Sequence, residues 1–367
     1  MQDLQPQQTR AGFLITAAAF VIVVAGMRAA EAILVPFLIA VFIAVLCMPT
    51  LFWLQKKGVP KSVAMLVVIA GISIIGMLIT TLISTSLDNF LRDLPFYQSR
   101  LQEKAKGLMD WIRTKGANVP DNWLGDSFNP GAAMNLVAVL LKKLGNVFTN
   151  AFLILVTVVF ILLEASSVST KLRAISFSPG SSDTHFDKFI HDINRYMGIK
   201  TLTSFATGVA VAIWLTILGV DYPQLWGLLA FLLNFIPSVG SILASIPAIL
   251  LALIQLGTAS ALLVAGGYLT INISIGNFLE PRVMGRGLGL SPLVVFLSIV
   301  FWGWVLGPVG MLLSVPLTMT LKIGLDSKED LRWIAVLLGS EASAENVLQK
   351  ESTDTSEQDH SKPGEDW

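Results

Sequence analysis

The sequence predicts an all-α, polytopic membrane protein with about six full spans and two opposed, broken helical hairpins. Three observations carry that expectation. Hydrophobic residues make up 54% of the chain and charged residues 14%, with a mean hydropathy of +0.70, far more apolar side chain than a soluble domain hides. The apolar residues gather into runs of membrane-crossing length. Two further runs are cut by Gly and Pro: residues 225–236 and 242–256 flank Pro237-Ser-Val-Gly-Ser241, and residues 292–306 and 309–323 flank Gly307-Pro308. A hydrocarbon core of ~30 Å needs about 20 helical residues, so the first pair of arms, ~18 and ~23 Å long, turns back rather than crossing.

Residues 11–27, 32–54 and 62–84 are the first three spans, a bundle over residues 1–86. The first runs straight into a second apolar stretch with no small-residue cleavage site, so it is a retained signal anchor. The tight turn Arg28-Ala-Ala-Glu31 makes these two a helical hairpin, and Pro36 and Pro49 bend the second. Lys56, Lys57 and Lys61 form a short basic loop, which the positive-inside tendency places in the cytoplasm with the N-terminus. Residues 87–146 are an extracytoplasmic, amphipathic helical insert. Pro95 opens a helix whose face carries Tyr97, Leu101, Leu108, Trp111 and Ile112. Without a polybasic face, that stripe fits the protein's own spans or a sister subunit better than lipid headgroups.

Asn129-Pro130 reads as the N-cap and first-turn proline of the helix that becomes the fourth span at 147–163. Lys142 and Lys143 beside it run against the positive-inside bias, which long translocated loops override. Residues 147–200 hold this span and a cytoplasmic insert with a helix at 187–196. Residues 201–339 are the transport core: span five at 201–220, the first hairpin, a crossing at 260–277 and the second hairpin. Counting faces, the first hairpin enters from outside and the second from inside, as in an inverted-topology repeat. The acidic, Ser/Thr-rich tail 340–367 reads as disordered, with a cytoplasmic C-terminus.

The chemistry-bearing residues exclude more than they propose. His185, His191 and His360 lie outside the spans, no HExxH occurs and nothing matches GxxxxGK[ST], so the chain is not an enzyme of those classes and needs no cofactor or metal. Cys47, the single cysteine, sits in an apolar run as a small hydrophobe. A net charge of +0 with scattered basic groups gives no case for nucleic acid. Gly285, Gly287 and Gly289 form a GRGLG loop, either a turn or a hinge. A charged group at mid-membrane costs ~2.5–3.5 kcal/mol, and Glu31, Glu164, Asp221 and Glu280 all flank spans. Glu280 and Arg282 bracket Pro281, either pairing as a gate or anchoring a loop at the interface. Gly303-Trp-Val-Leu-Gly307 is a GxxxG that permits close helix contact.

The polar groups that enter the apolar region are neutral: Asn234, Ser238, Ser241, Asn272, Asn277, Ser298, Ser314 and Thr318. Donors and acceptors without fixed charge suit a neutral, hydroxyl-rich solute. Any one of them serves equally as interhelical glue worth ~0.6 kcal/mol. Their clustering at two helix breaks is what marks a site.

At these segments the chain resembles the autoinducer-2 exporter family, and within it the quorum-signal transporter subgroup of bacterial inner membranes. The matching stretches are VPFLIAVFIAVL from Val35, LVTVVFILLE ending at Glu164, WGLLAFLLNFIPSVGS from Trp226, and NFLEPRVMGRGLGLSPLVVFLSIVFWGWVLGPVGMLLSVPLT from Asn277. The likeness covers nearly everything but the tail. It implies a multi-helix permease of the bacterial inner membrane, a homo-oligomer and specifically a pentamer, that exports autoinducer-2. Other family members resemble sodium or lithium/proton antiporters. The hairpin positions carried over are Pro237, Gly240 and Ser241 in the first and Pro308, Gly310 and Pro316 in the second, with Asn277, Glu280 and Pro281 between them.

The reading is a transporter that moves a small neutral polar solute outward by alternating access, a hairpin-bearing bundle shifting against a more static part. Its partners are the lipid bilayer, the solute and further copies of itself. With no ATPase motif, the solute gradient or a coupling ion drives it. A cation/proton antiporter is the first alternative and calls for a membrane-buried carboxylate. A non-transporting scaffold is the second, and it has no need of broken hairpins.

Overall fold

The computed structural model describes residues 5–115, 135, 138–139, 141–142, 150–175, 182–237, 239–284, 290–326 and 331–340. Ser238, Asn129-Pro130, the GRGLG loop and the tail beyond Ser340 lie outside the described residues. The chain divides into two compact units, residues 1–283 and 284–367. The described residues form helices throughout, with one isolated bridge between Leu290 and Gly339.

In the first unit, α1 (Gln5–Ala29) and α2 (Glu31–Lys56) meet at Ala30. Arg28 closes one helix and Glu31 opens the next, the charge order that helix dipoles favour. Ala40 and Ala44 of α2 are buried with Val158 and Leu162 of α4 (Ala151–Ile175). Small side chains one turn apart let backbones approach closely, which is how helices associate where lipid removes the hydrophobic drive.

α3 (Lys61–Thr114) is 54 residues long, a rod of about 80 Å, so its later half stands clear of a hydrocarbon core. Pro95 lies inside this helix and does not open a new one. Its ring removes one hydrogen bond from the Leu91 carbonyl, a loss that a helix tolerates where water can reach the freed oxygen. Similarly, α5 (Ser182–Leu218) runs through residue 200 and joins the helix expected at 187–196 to span five. It stops at Gly219, φ 74, where Gly219 N–H donates to Thr216 O at 3.2 Å and Val220 N–H to Leu215 O at 3.0 Å. This is the paired closure of a left-handed glycine cap.

α6 (Pro223–Leu233) and α7 (Gly240–Gln255) are the arms of the first hairpin. α8 (Thr258–Asn272) continues through a seven-residue π segment, Ile273–Leu279, into α9 (Glu280–Met284). No residue pattern signals the π segment.

In the second unit α10 (Pro292–Asp326) is broken at Gly307, with φ 64 and ψ −153, a backbone region that essentially only glycine occupies. Trp302 Nε1 donates to Thr318 Oγ1 at 3.0 Å, and Thr318 Oγ1 to Ser298 Oγ at 2.8 Å. Sixteen residues of straight helix would hold the first pair ~24 Å apart; the arms therefore fold back on each other. Gly303 lies against Met311 of the opposite arm, so this glycine pattern serves the hairpin itself. α11 (Arg332–Leu337) comes next, and Ser291 N–H donates to Leu338 O at 3.2 Å.

Among the described residues five helices are long and apolar enough to cross a membrane, one of them the broken Pro292–Asp326. The spans expected at 11–27 and 147–163 appear as the shorter apolar helices Leu14–Ala29 and Ala151–Glu164.

Both hairpins turn on a glycine tucked under a carbonyl. A Cβ on Gly240 would sit 1.7 Å from Leu233 O, and one on Gly310 2.0 Å from Trp302 O, whereas Gly266 and Gly276 face open space. Gly240→Ala and Gly310→Ala should each destabilise the protein by about 2 kcal/mol, and Gly266→Ala and Gly276→Ala should be tolerated. Thermal unfolding in detergent checks both halves of that statement.

Candidate functional site

The apolar face of α5 carries Lys200, Thr203, Ser204 and Thr207, all buried. Spacings of three, four and seven place them in one stripe. The two threonines bond back along their own helix, Thr203 Oγ1 to Lys200 O at 3.1 Å and Thr207 Oγ1 to Thr203 O at 2.9 Å. Lys200 and Ser204 reach outward to other elements.

α6 packs antiparallel on this helix. A Cβ on Gly208 would lie 2.7 Å from Gly227 O, and one on Gly227 2.7 Å from the Ala212 Cβ. This near-backbone contact brings the hairpin tip onto the stripe: Asn234, capping α6, donates Nδ2–H to Ser204 Oγ at 3.0 Å. Measured along α5, the tip lies about 20 Å from Leu218. The hairpin base is fixed at that far end. Asp221 N–H donates to Gln255 Oε1 at 3.1 Å, and Gln255 Nε2–H donates back to the Asp221 carboxylate. The hairpin thus starts and finishes at the Asp221 end, with its tip one turn from Lys200.

α8 also runs antiparallel to α5, with Trp214 Nε1 donating to Leu263 O at 3.2 Å and lying on Gly267. At the other end Lys200 Nζ donates to both carboxylate oxygens of Glu280, at 2.8 and 2.9 Å, with side-chain exposures of 6% and 17%. Both residues lie in helices apolar enough to cross a membrane, Ile193–Leu218 and Thr258–Val283. This corrects one expectation: the partner of Glu280 is Lys200 and not Arg282, which is exposed with its guanidinium 5.9 Å from the Phe278 ring. Two residues apart on a helix, Glu280 and Arg282 point to different sides.

The remaining candidates are spread over both units. Pro237 and Ser241 are half-buried around the first turn, Asn272 is half-buried at the start of the π segment, and Asn277 and Pro281 are exposed. In the second unit Pro308 sits directly after the Gly307 break, Ser314 is buried and donates to Met311 O at 2.8 Å, and Pro316 O accepts from Thr320 at 2.8 Å. Ser314 is therefore satisfied within its own arm. Three buried side-chain atoms have no hydrogen-bond partner among the described residues: Asn194 Oδ1, Thr201 Oγ1 and the Tyr268 hydroxyl. Such atoms are rare in a finished core and are natural points for a polar solute or water to engage.

At the Asp221 end the closure is aromatic. Tyr97, on the projecting part of α3, donates to Asp221 Oδ2 at 2.9 Å, Trp226 Nε1 donates to Asp221 O at 2.9 Å, and Tyr222 donates to the Asp93 carboxylate. Phe90 fills the centre, 5.6 Å from the Trp226 ring and 6.1 Å from Tyr222. Tyr222 takes a left-handed conformation, φ 57 and ψ 43, to make this turn before Pro223.

Sequence profiles and relatives identify the family. Residues 15–329 match the profile described as AI-2E family transporter. The chain is 42% identical over 318 residues to the AI-2 transport protein TqsA of Escherichia coli, covering 87% of this chain and 92% of that protein. It is 39% identical to a putative transport protein of Haemophilus influenzae, covering 89% and 95%, and 33% identical to the putative transport protein YhhT of Escherichia coli, covering 92% and 97%. The chain belongs to the AI-2E transporter family. It is a multi-pass membrane protein of a transporter family, and the resemblance drawn from the hairpin sequences holds.

The aromatic closure is open to a pH test, since it lies outside the membrane-spanning segments. Burial, reinforced by the hydrogen bond and charge of Asp93, pushes the Tyr222 phenol from its ordinary value of 10 up to about 12; burial and Asp221 push Tyr97 up as well. A raised folded-state value means that the protonated phenol supports the fold fully below pH 10 and loses that support as pH rises through about 12. Thermal stability should therefore hold to pH 10 and decline toward pH 12, with a shallower decline in Tyr222→Phe. An identical alkaline decline in that variant would show that the phenol does not hold the closure.

Proposed function

We propose that this protein exports a small, neutral, hydroxyl-bearing solute, autoinducer-2, across the bacterial inner membrane by alternating access. The observation that carries this reading is the stripe of buried hydroxyls on α5 met by the amide of Asn234 at the tip of a short hairpin. Neutral donors and acceptors enclosed by membrane helices recognise a polyhydroxylated solute without the desolvation cost of an ionic site. The similarity to TqsA, named as an AI-2 transport protein, supports the choice of solute. Movement of the α6–α7 hairpin against α5 would expose the stripe to one side at a time, as half-helices do in other transporters. The Lys200 end and both termini face the cytoplasm in this reading, and the protein works as a homo-oligomer whose exposed apolar faces meet lipid and sister copies.

A second reading, exchange of a monovalent cation for a proton, draws on the half-buried Glu280 carboxylate. Proteoliposomes given labelled autoinducer-2 or a sodium or lithium gradient separate the two. Solute-specific flux with no cation-driven proton movement supports export, and the converse supports exchange. Asn234→Ala should raise KM several-fold, the equivalent of ~1 kcal/mol for one lost hydrogen bond, with normal membrane insertion. An unchanged KM would reduce Asn234 to helix packing.

A further inference from the structure

We propose that the Lys200–Glu280 ion pair is the gate that closes the solute path at the tip end of the first hairpin, with the Ile273–Leu279 π segment as its hinge. This inference rests on the transport reading and adds a named moving part to it. The pair caps the polar stripe. Lys200 lies on the same face of α5 as Thr203 and Thr207, and one turn from the Ser204–Asn234 contact, so the pair sits at that end of the stripe.

Stability alone gives a weak reason for such a pair. With Lys200 buried and Glu280 half-buried, desolvation takes back much of their mutual attraction, and an apolar pair of similar volume commonly serves a fold as well. Once parted, an ion pair behaves unlike an apolar plug, because both of its ends take up water readily. The neighbouring turns of α5 hold Asn194 Oδ1 and Thr201 Oγ1, buried and without partners among the described residues. Water admitted by an open gate would satisfy them.

Glu280 reaches Lys200 because of the π segment. One extra residue in a helix turns everything beyond it by about 100°, so the same sequence in unbroken α geometry would carry Glu280 away from α5. No side chain of the seven π residues is buried, and Glu280 N–H donates to Ile275 O at the junction. The segment is thus only lightly packed, with Ile275 and Gly276 half-buried and the other five residues exposed. The opposite end of α5 is built differently, with Phe90 and Trp226 fully buried around Asp221 and three separate side chains bonded to that residue. Opening there means taking apart a packed aromatic cluster, and opening at Lys200 means parting one pair.

The test uses the full chain in oriented membrane vesicles, with Cys47→Ser and the reporter Thr203→Cys, and a small membrane-impermeant thiol reagent applied from either face. With the pair intact the reporter should label slowly from both faces. Glu280→Gln should speed labelling by about tenfold, as for a tenfold shift in open population, from the Lys200 face only. Exchanging the charges, Lys200→Glu with Glu280→Lys, should return it to slow. Should Glu280→Gln fail to insert, Glu280→Asp takes its place and should show the same one-sided increase. Labelling that is unchanged, or that rises equally from both faces, overturns the gate. Because the assay needs no solute, a failure to carry autoinducer-2 would count against the transport reading and leave this result standing on its own.

Discussion

A polar side chain on a membrane helix must find its partner inside the protein, because hydrocarbon offers none, and α5 carries four of them on one buried face. Much of the first unit is arranged to satisfy that face. Thr203 and Thr207 turn their hydroxyls to their own backbone, which leaves Ser204 and Lys200 to be met from elsewhere. Meeting Ser204 requires a second helix close enough for an amide to reach it, hence Gly208 against Gly227 and a hairpin that stops at Asn234. Meeting Lys200 requires a carboxylate from α9, hence the change of helical winding that faces Glu280 toward it.

The second unit solves a related problem with other groups. Its two arms are tied by an indole-to-hydroxyl-to-hydroxyl relay from Trp302 through Thr318 to Ser298, all buried. Every polar atom in that chain is used within the hairpin. The first hairpin instead directs its tip amide to a neighbouring helix, in the same unit as buried oxygens that have no partner among the described residues. That difference is why the proposed solute path runs along α5: satisfied groups hold arms together, and groups with spare capacity bind.

The hairpins were legible in the sequence because Gly and Pro interrupt apolar runs in only a few physically tolerable ways, and Pro237, Gly240, Gly307 and Pro308 all sit at the turns. The stripe on α5 was legible in principle. Lys200, Thr203, Ser204 and Thr207 recur at helical spacing, but Lys200 comes at the end of a basic segment and reads as its last charge, which hid the pattern. Pro95 misled for a comparable reason, since a proline that signals a helix start is also tolerated within a rod exposed to water. The partner of Glu280 was out of reach: Arg282 is near in sequence, and Lys200, eighty residues away, is near only after folding. Nothing in ISIGNFL separates π from α winding, since both draw on the same residue preferences.

The central claim is that the hairpin tip moves against α5 while solute passes. The contact between Ser204 and Asn234 is where that motion is most directly held. In protein with Cys47→Ser, the pair Ser204→Cys and Asn234→Cys can be joined by mild oxidation and released by reduction. Autoinducer-2 export from proteoliposomes should stop on oxidation and return on reduction. Export that continues at full rate with the tip tethered to α5 would contradict the claim.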